Sequence, residues 1–127
     1  MTRWSRLAVL LLAAVMLAAC SGGQAAASKP AVSAQNVTVK SADQMRFEPA
    51  TLTVRANTPV TLTLDNSGSA LLHDLTIDDV GGQRVHIPAQ ANGRGTGQFT
   101  APAGVYQFYC SQPGYKDAGM VGTLTVS

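Results

Sequence analysis

Val105-Tyr106-Gln107-Phe108-Tyr109-Cys110, then Ser111-Gln112-Pro113-Gly114-Tyr115-Lys116-Asp117-Ala118-Gly119, then Met120-Val121-Gly122-Thr123-Leu124-Thr125-Val126, is the stretch that decides the fold. Two alternating segments flank a nine-residue loop that turns at Pro113-Gly114. In a strand, successive side chains point to opposite faces. Tyr106, Phe108 and Cys110 therefore share one face, and Met120 has the parity of Leu124 and Val126. If Phe108 points into a core, both sulfurs face inward at the same end of a sheet.

The same alternation recurs outward from this stretch. Asn36–Val39, Thr51–Val54, Val60–Leu64, Leu75–Ile77, Val85–Ile87 and Gly97–Thr100 all alternate β-branched or apolar residues with polar ones. Turn residues fall between them, at Asn57-Thr58-Pro59, Asn66-Ser67-Gly68, Gly81-Gly82, Asn92-Gly93 and Pro102-Ala103-Gly104. This pattern predicts half-buried strands of antiparallel sheets. Seven to eight of them at this spacing read as an all-β, two-sheet Greek-key sandwich over residues 36–127. The expected core is Val37, Val39, Leu52, Val54, Leu62, Leu64, Leu75, Ile77, Phe99, Tyr106, Phe108, Leu124 and Val126.

The first 35 residues read differently. Arg3 and Arg6 precede an apolar run, Leu7 to Leu17, that is too short to span a bilayer. Leu17-Ala18-Ala19-Cys20 resembles a bacterial lipoprotein box. That resemblance implies a signal peptide over 1–19, lipidation of Cys20 and tethering to a membrane outside the cytoplasm; an ordinary signal peptide is the plainer alternative. Residues 20–35 are mostly Ser, Gly, Ala and Gln, a composition for a flexible linker. Loss of 1–19 removes Arg3 and Arg6, so seven basic residues face seven acidic ones. Neither charge nor clustering supports a nucleic-acid surface.

With Cys20 acylated, Cys110 is the one thiol remaining. Outside the cytoplasm an unpaired cysteine points to reactivity or ligation; the alternative is a buried cysteine acting as a small hydrophobe. Thiolate and thioether donors select copper over calcium, magnesium or manganese, so Cys110 and Met120 read as copper ligands.

The domain resembles the cupredoxins: plastocyanin, azurin and the auracyanin-like bacterial proteins. The likeness rests on Met45–Val54, on Asn66-Ser67-Gly68 followed by His73-Asp74-Leu75, and on Pro102–Leu124. It implies one copper ion held by two histidines, a thiolate and an axial methionine. His73 matches the first histidine, Cys110 the thiolate and Met120 the axial ligand, while Tyr115 stands at the second histidine position. Asp74 and Ser111 match residues that hydrogen-bond the two ligand segments together. Tyrosine does not replace histidine chemically. A phenol titrates near 10 and binds metals well only as the hard phenolate. Tyr115 is thus either a ligand of uncertain kind or an aromatic cap. His86 has the parity of solvent-facing residues, and Met45 reads as core.

Three functions follow: a lipid-anchored one-electron carrier serving membrane redox proteins, a Cu(I)-handling or delivery protein, or a metal-free partner-binding module. The carrier is favoured, as a monomer. Enzymatic catalysis is not expected, because the chain has no paired carboxylates on a shared loop, no Ser/His/Asp arrangement and no phosphate-cradling glycine loop.

Overall fold

The computed structural model describes residues 35–127. The expected signal peptide, the lipidation site Cys20 and the linker up to residue 34 lie outside the described residues. Nine strands follow one another: β1 (Gln35–Ala42), β2 (Arg46–Glu48), β3 (Thr51–Val54), β4 (Val60–Asp65), β5 (His73–Val80), β6 (Gln83–Ala89), β7 (Arg94–Phe99), β8 (Gly104–Tyr109) and β9 (Val121–Val126). They form two sheets, one ordered β2-β1-β4-β7 and the other β3-β9-β8-β5-β6. This is the cupredoxin sandwich expected from the sequence, with one short extra strand, β2. Gln35 opens β1, opposite Val60, and its side chain exchanges hydrogen bonds with the Arg55 backbone.

Pairing direction departs from expectation at two places. β1 runs parallel to β4, with Val37 opposite Leu62, and β3 runs parallel to β9, with Leu52 opposite Leu124. Alternation fixes which face a residue occupies but carries no information on the direction of its neighbour. Direction comes from the crossings between sheets. Pro49, which has no N–H to give to a ladder, separates β2 in one sheet from β3 in the other.

The inward faces close into one core. Val39, Leu62, Leu64, Leu75, Ile77, Ile87, Phe108 and Leu124 are buried, and Phe47 meets Phe108 edge to face with centroids 5.2 Å apart. Burying a ring or aliphatic side chain of this size contributes about 2–3 kcal/mol each. Tyr106 and Val37 lie at the border of this core, partly buried; the Tyr106 hydroxyl donates to Pro102 O at 2.9 Å. Met45 sits in the β1–β2 turn at φ 53°, packed against the core but outside any strand.

Gly122 makes the packing behind the ligand loop possible. It faces Phe108 across the β8–β9 ladder, and a Cβ there would run into the Phe108 ring and stand 2.8 Å from Ala50 O. The alternation expected for Cys110 holds: Phe108 and Cys110 are both fully buried. β8 and β5 are neighbours running in opposite directions, so the end of β8 and the start of β5 meet at one end of the sandwich.

Candidate metal centre

His73 is the first residue of β5 and shares the inward parity of Leu75 and Ile77. The loop that delivers it is fixed by Asn66, which is completely buried. The Asn66 amide nitrogen donates to Leu71 O at 2.8 Å, Gln90 O at 2.8 Å and Ala89 O at 3.2 Å. Its side-chain oxygen accepts from the Ser41 hydroxyl, and its backbone N–H donates to Gly93 O at 2.9 Å. One side chain thereby ties β1, β6 and the two loops that approach the site.

The second segment of the candidate site is the loop between β8 and β9. It is closed end to end by Cys110 N–H donating to Met120 O at 3.1 Å, and by Met120 N–H donating to Tyr115 O at 3.0 Å. Gly114 and Gly119 take φ of 82° and 101°, left-handed values that a side chain would resist. Met120 is fully buried. Tyr115 is half-buried, and its ring meets the His73 ring edge to face with centroids 5.3 Å apart.

Asp74 joins the two segments. Its backbone N–H donates to Cys110 Sγ at 3.4 Å. Its carboxylate accepts from Ser111 N–H at 2.7 Å, Ser111 Oγ at 2.9 Å, Gln112 Nε2 at 2.8 Å and Thr76 Oγ1 at 3.1 Å. Burial pushes this carboxyl up, and the four hydrogen bonds outweigh burial and hold it below the ordinary carboxylate value. The sequence pointed to Asp74 and Ser111 but not to Gln112 or Thr76. The shared parity of Thr76 and Asp74 was the signal available for the latter.

Burial acts in opposite senses on the two donors, favouring the ligating form of His73 and opposing that of Cys110, whose proton a metal must displace. Burial pulls the His73 imidazole toward its neutral, lone-pair form, against the opposing pull of the Asp43 and Asp74 carboxylates. Burial also pushes the Cys110 thiol up, opposed by the N–H groups of Asp74 and Gln112. Both ring nitrogens of His73 are buried without a hydrogen-bond partner, and they are the buried side-chain polar atoms so left among the described residues. An unpaired buried polar group costs about 1–3 kcal/mol, so an imidazole kept this way in a folded protein calls for a partner. Among the described residues no cluster of three or more His, Cys, Asp and Glu side chains forms. Only His73 and Cys110 in this set are of those types; the others are a thioether and a phenol. A soft metal that takes nitrogen and sulfur fits such donors, and hard cations do not. His86 is exposed on the outer face of its sheet, where its Nδ1 lies 2.9 Å from Thr76 Oγ1.

A family profile described as cupredoxin-like domain matches residues 8–126. The chain is 32% identical over 111 residues to the copper-resistant cuproprotein CopI of Rubrivivax gelatinosus, an alignment covering 72% of this chain. The chain spans 66% of the length of that relative. Auracyanin B superposes with a TM-score of 0.65 at 26% identity, over 73% of this chain and 88% of that one. Auracyanin A, a "blue" copper protein from Chloroflexus aurantiacus, superposes with a TM-score of 0.65 over 75% of this chain and all of that one, and at 21% identity shows the fold alone.

Proposed function

The chain belongs to the cupredoxin-like domain family, and from that premise we propose that it is a lipid-anchored copper protein of the extracytoplasmic face that carries single electrons. His73, Cys110 and Met120 would hold one copper ion, with Tyr115 beside them as an aromatic cap. Copper held there supplies one-electron chemistry by cycling between its two common oxidation states.

The observation that carries this reading is the pair of orphaned His73 nitrogens, buried at the end of the sandwich where the chain also brings the fully buried Cys110 and Met120 together. The chain's own residues do the rest. Asp74 N–H fixes the Cys110 sulfur by hydrogen bonding to it. Hydrogen bonds to the Asp74 carboxylate then fix Ser111 and Gln112, so the loop cannot re-form around a metal that changes its charge. A site that stays put through the redox step suits electron transfer. The anchor rests on Cys20 in its lipoprotein box, and the partners are membrane redox proteins on the same face.

A second reading, retention or delivery of Cu(I), is favoured by one specific feature. The Tyr115 ring packs edge to face with His73, and the sequence resemblance aligns Tyr115 with the family's second histidine. A His, Cys and Met set without that imidazole suits low-coordinate Cu(I). CopI, itself a copper-resistant cuproprotein, points the same way.

Optical titration of the chain with Cu(II), and competition for Cu(I) against a chromophoric chelator, tests both. An intense thiolate-to-copper absorption that disappears in Cys110→Ser supports the carrier. Cu(I) binding with no coloured Cu(II) form leaves the handling role. Absence of binding in either oxidation state would sink both.

A further inference from the structure

The outer face of the β5–β6–β8 sheet holds a hydroxyl with one proton and two claimants. Thr76 Oγ1 lies 3.1 Å from Asp74 Oδ1 and 2.9 Å from His86 Nδ1. Thr76 is fully buried and His86 is exposed. Register places the three strands side by side here, with Thr76 opposite both His86 on β6 and Tyr109 on β8. A hydroxyl donates once and accepts on its lone pairs, whereas a charged imidazole carries a proton on both nitrogens and only donates.

We propose that Thr76 is a positioning residue for the copper-binding loop, and that His86 controls which way its hydroxyl points. When His86 is charged, Nδ1–H donates to Thr76 Oγ1 and the hydroxyl proton goes to Asp74. When His86 is neutral with its proton on Nε2, the Nδ1 lone pair competes for the hydroxyl proton, and Asp74 loses its fourth hydrogen bond in part of the population. Asp74 is the residue that holds Cys110 Sγ, Ser111 and Gln112 in place. A solvent-facing histidine is thereby connected by directed hydrogen bonds to the residue that also bonds the Cys110 sulfur, without being a ligand itself.

Other charges face the same patch. β5 contributes Asp74 and Asp78. β8 contributes Tyr109, whose hydroxyl donates to Asp78 at 2.8 Å and whose ring lies 3.9 Å under Lys116 Nζ. β6 contributes Arg84, 3.7 Å from Asp78. The charged residue of β7, Arg94, is paired with Asp65. Apart from Asp74, none of these side chains is hydrogen-bonded to Thr76, so the hydroxyl is the link peculiar to His86 and Asp74.

The test is an NMR titration of the metal-free chain between about pH 5 and 8, the window in which histidine changes charge. The Ser111 amide proton, which points at Asp74 Oδ1, is followed together with the His86 ring. The expected result is a single step in Ser111 with the midpoint of His86. The step should vanish in His86→Gln, and in Thr76→Val it should vanish while the ring still titrates. Thr76→Ser keeps the hydroxyl and should keep the step, which separates relay loss from misfolding in Thr76→Val. A flat Ser111 signal in the parent, or a step that survives Thr76→Val, overturns the inference. The consequence for copper rests on the function proposed above. In the copper-loaded chain, the thiolate-to-copper band should move across the same pH window, and only where His86 and the hydroxyl are both present. Failure to bind copper would sink that function while leaving the metal-free step intact.

Discussion

The Tyr115 and His73 rings meet edge to face, 5.3 Å between centroids. On the proposed copper reading, this contact sets an aromatic group, instead of a second nitrogen donor, beside His73. Tyr115→His should restore the missing donor and strengthen the visible thiolate-to-Cu(II) absorption several-fold. Tyr115→Phe should leave Cu(I) affinity within about threefold of the parent, because a cap needs only the ring. Loss of Cu(I) affinity by a factor of ten or more in Tyr115→Phe, about 1.4 kcal/mol, would show instead that the phenol oxygen is a ligand.

Asn66 satisfies three carbonyl groups with one amide and receives the Ser41 hydroxyl on its oxygen. Asn66→Ala leaves these groups buried without partners and should destabilise the fold by about 3 kcal/mol. Asn66→Asp should be worse, because it turns an acceptor toward three carbonyl oxygens. Urea midpoints at constant m-value measure both.

Gly122→Ala drives a methyl group into the Phe108 ring and toward Ala50 O. Overpacking of this kind should cost about 3 kcal/mol. The double variant Gly122→Ala with Phe108→Leu should recover part of that loss, a coupling that distinguishes ring collision from a general strand defect. Thermal unfolding of the four species completes the cycle.

Acid should expose a different weak point. Hydrogen bonds from Ser67 and from the Arg94 guanidinium hold the Asp65 carboxyl far below its ordinary value. A carboxyl depressed by folding contributes stability that is fully present above its unfolded value, near 4, and is lost as pH falls below it. Unfolding free energy measured from about pH 5 to 2 should therefore fall less steeply in Asp65→Asn than in the parent. Equal slopes would remove Asp65 from the acid response.

How much of this was legible beforehand depends on what alternation encodes. Period two placed Phe108 and Cys110 on one buried face, kept His86 outside, and set Met120 with Leu124. It said nothing of strand direction, so the parallel pairs β1–β4 and β3–β9 were not foreseen. β2 escaped because three residues are too few to display a period. The donor types and spacing of the site could be read directly. The Asn66 junction could not, since its side-chain nitrogen donates to backbone carbonyls up to 24 residues away, which any sequence would supply. Thr76 was hidden for a related reason: threonine on the outer face of a strand is ordinary, and only its two neighbours make it otherwise.

β9 lies in the interior of its sheet, between β3 and β8, and begins one residue after Met120. A nascent chain that has delivered His73 and Cys110 but not yet β9 lacks Gly122 against the Phe108 ring and the strand that continues from Met120 into the core. The order of synthesis thus acts as a lock. The sulfur pair is brought together only when the late strand slots home, so on the proposed copper reading a partly emerged chain offers loose single donors and not the complete set.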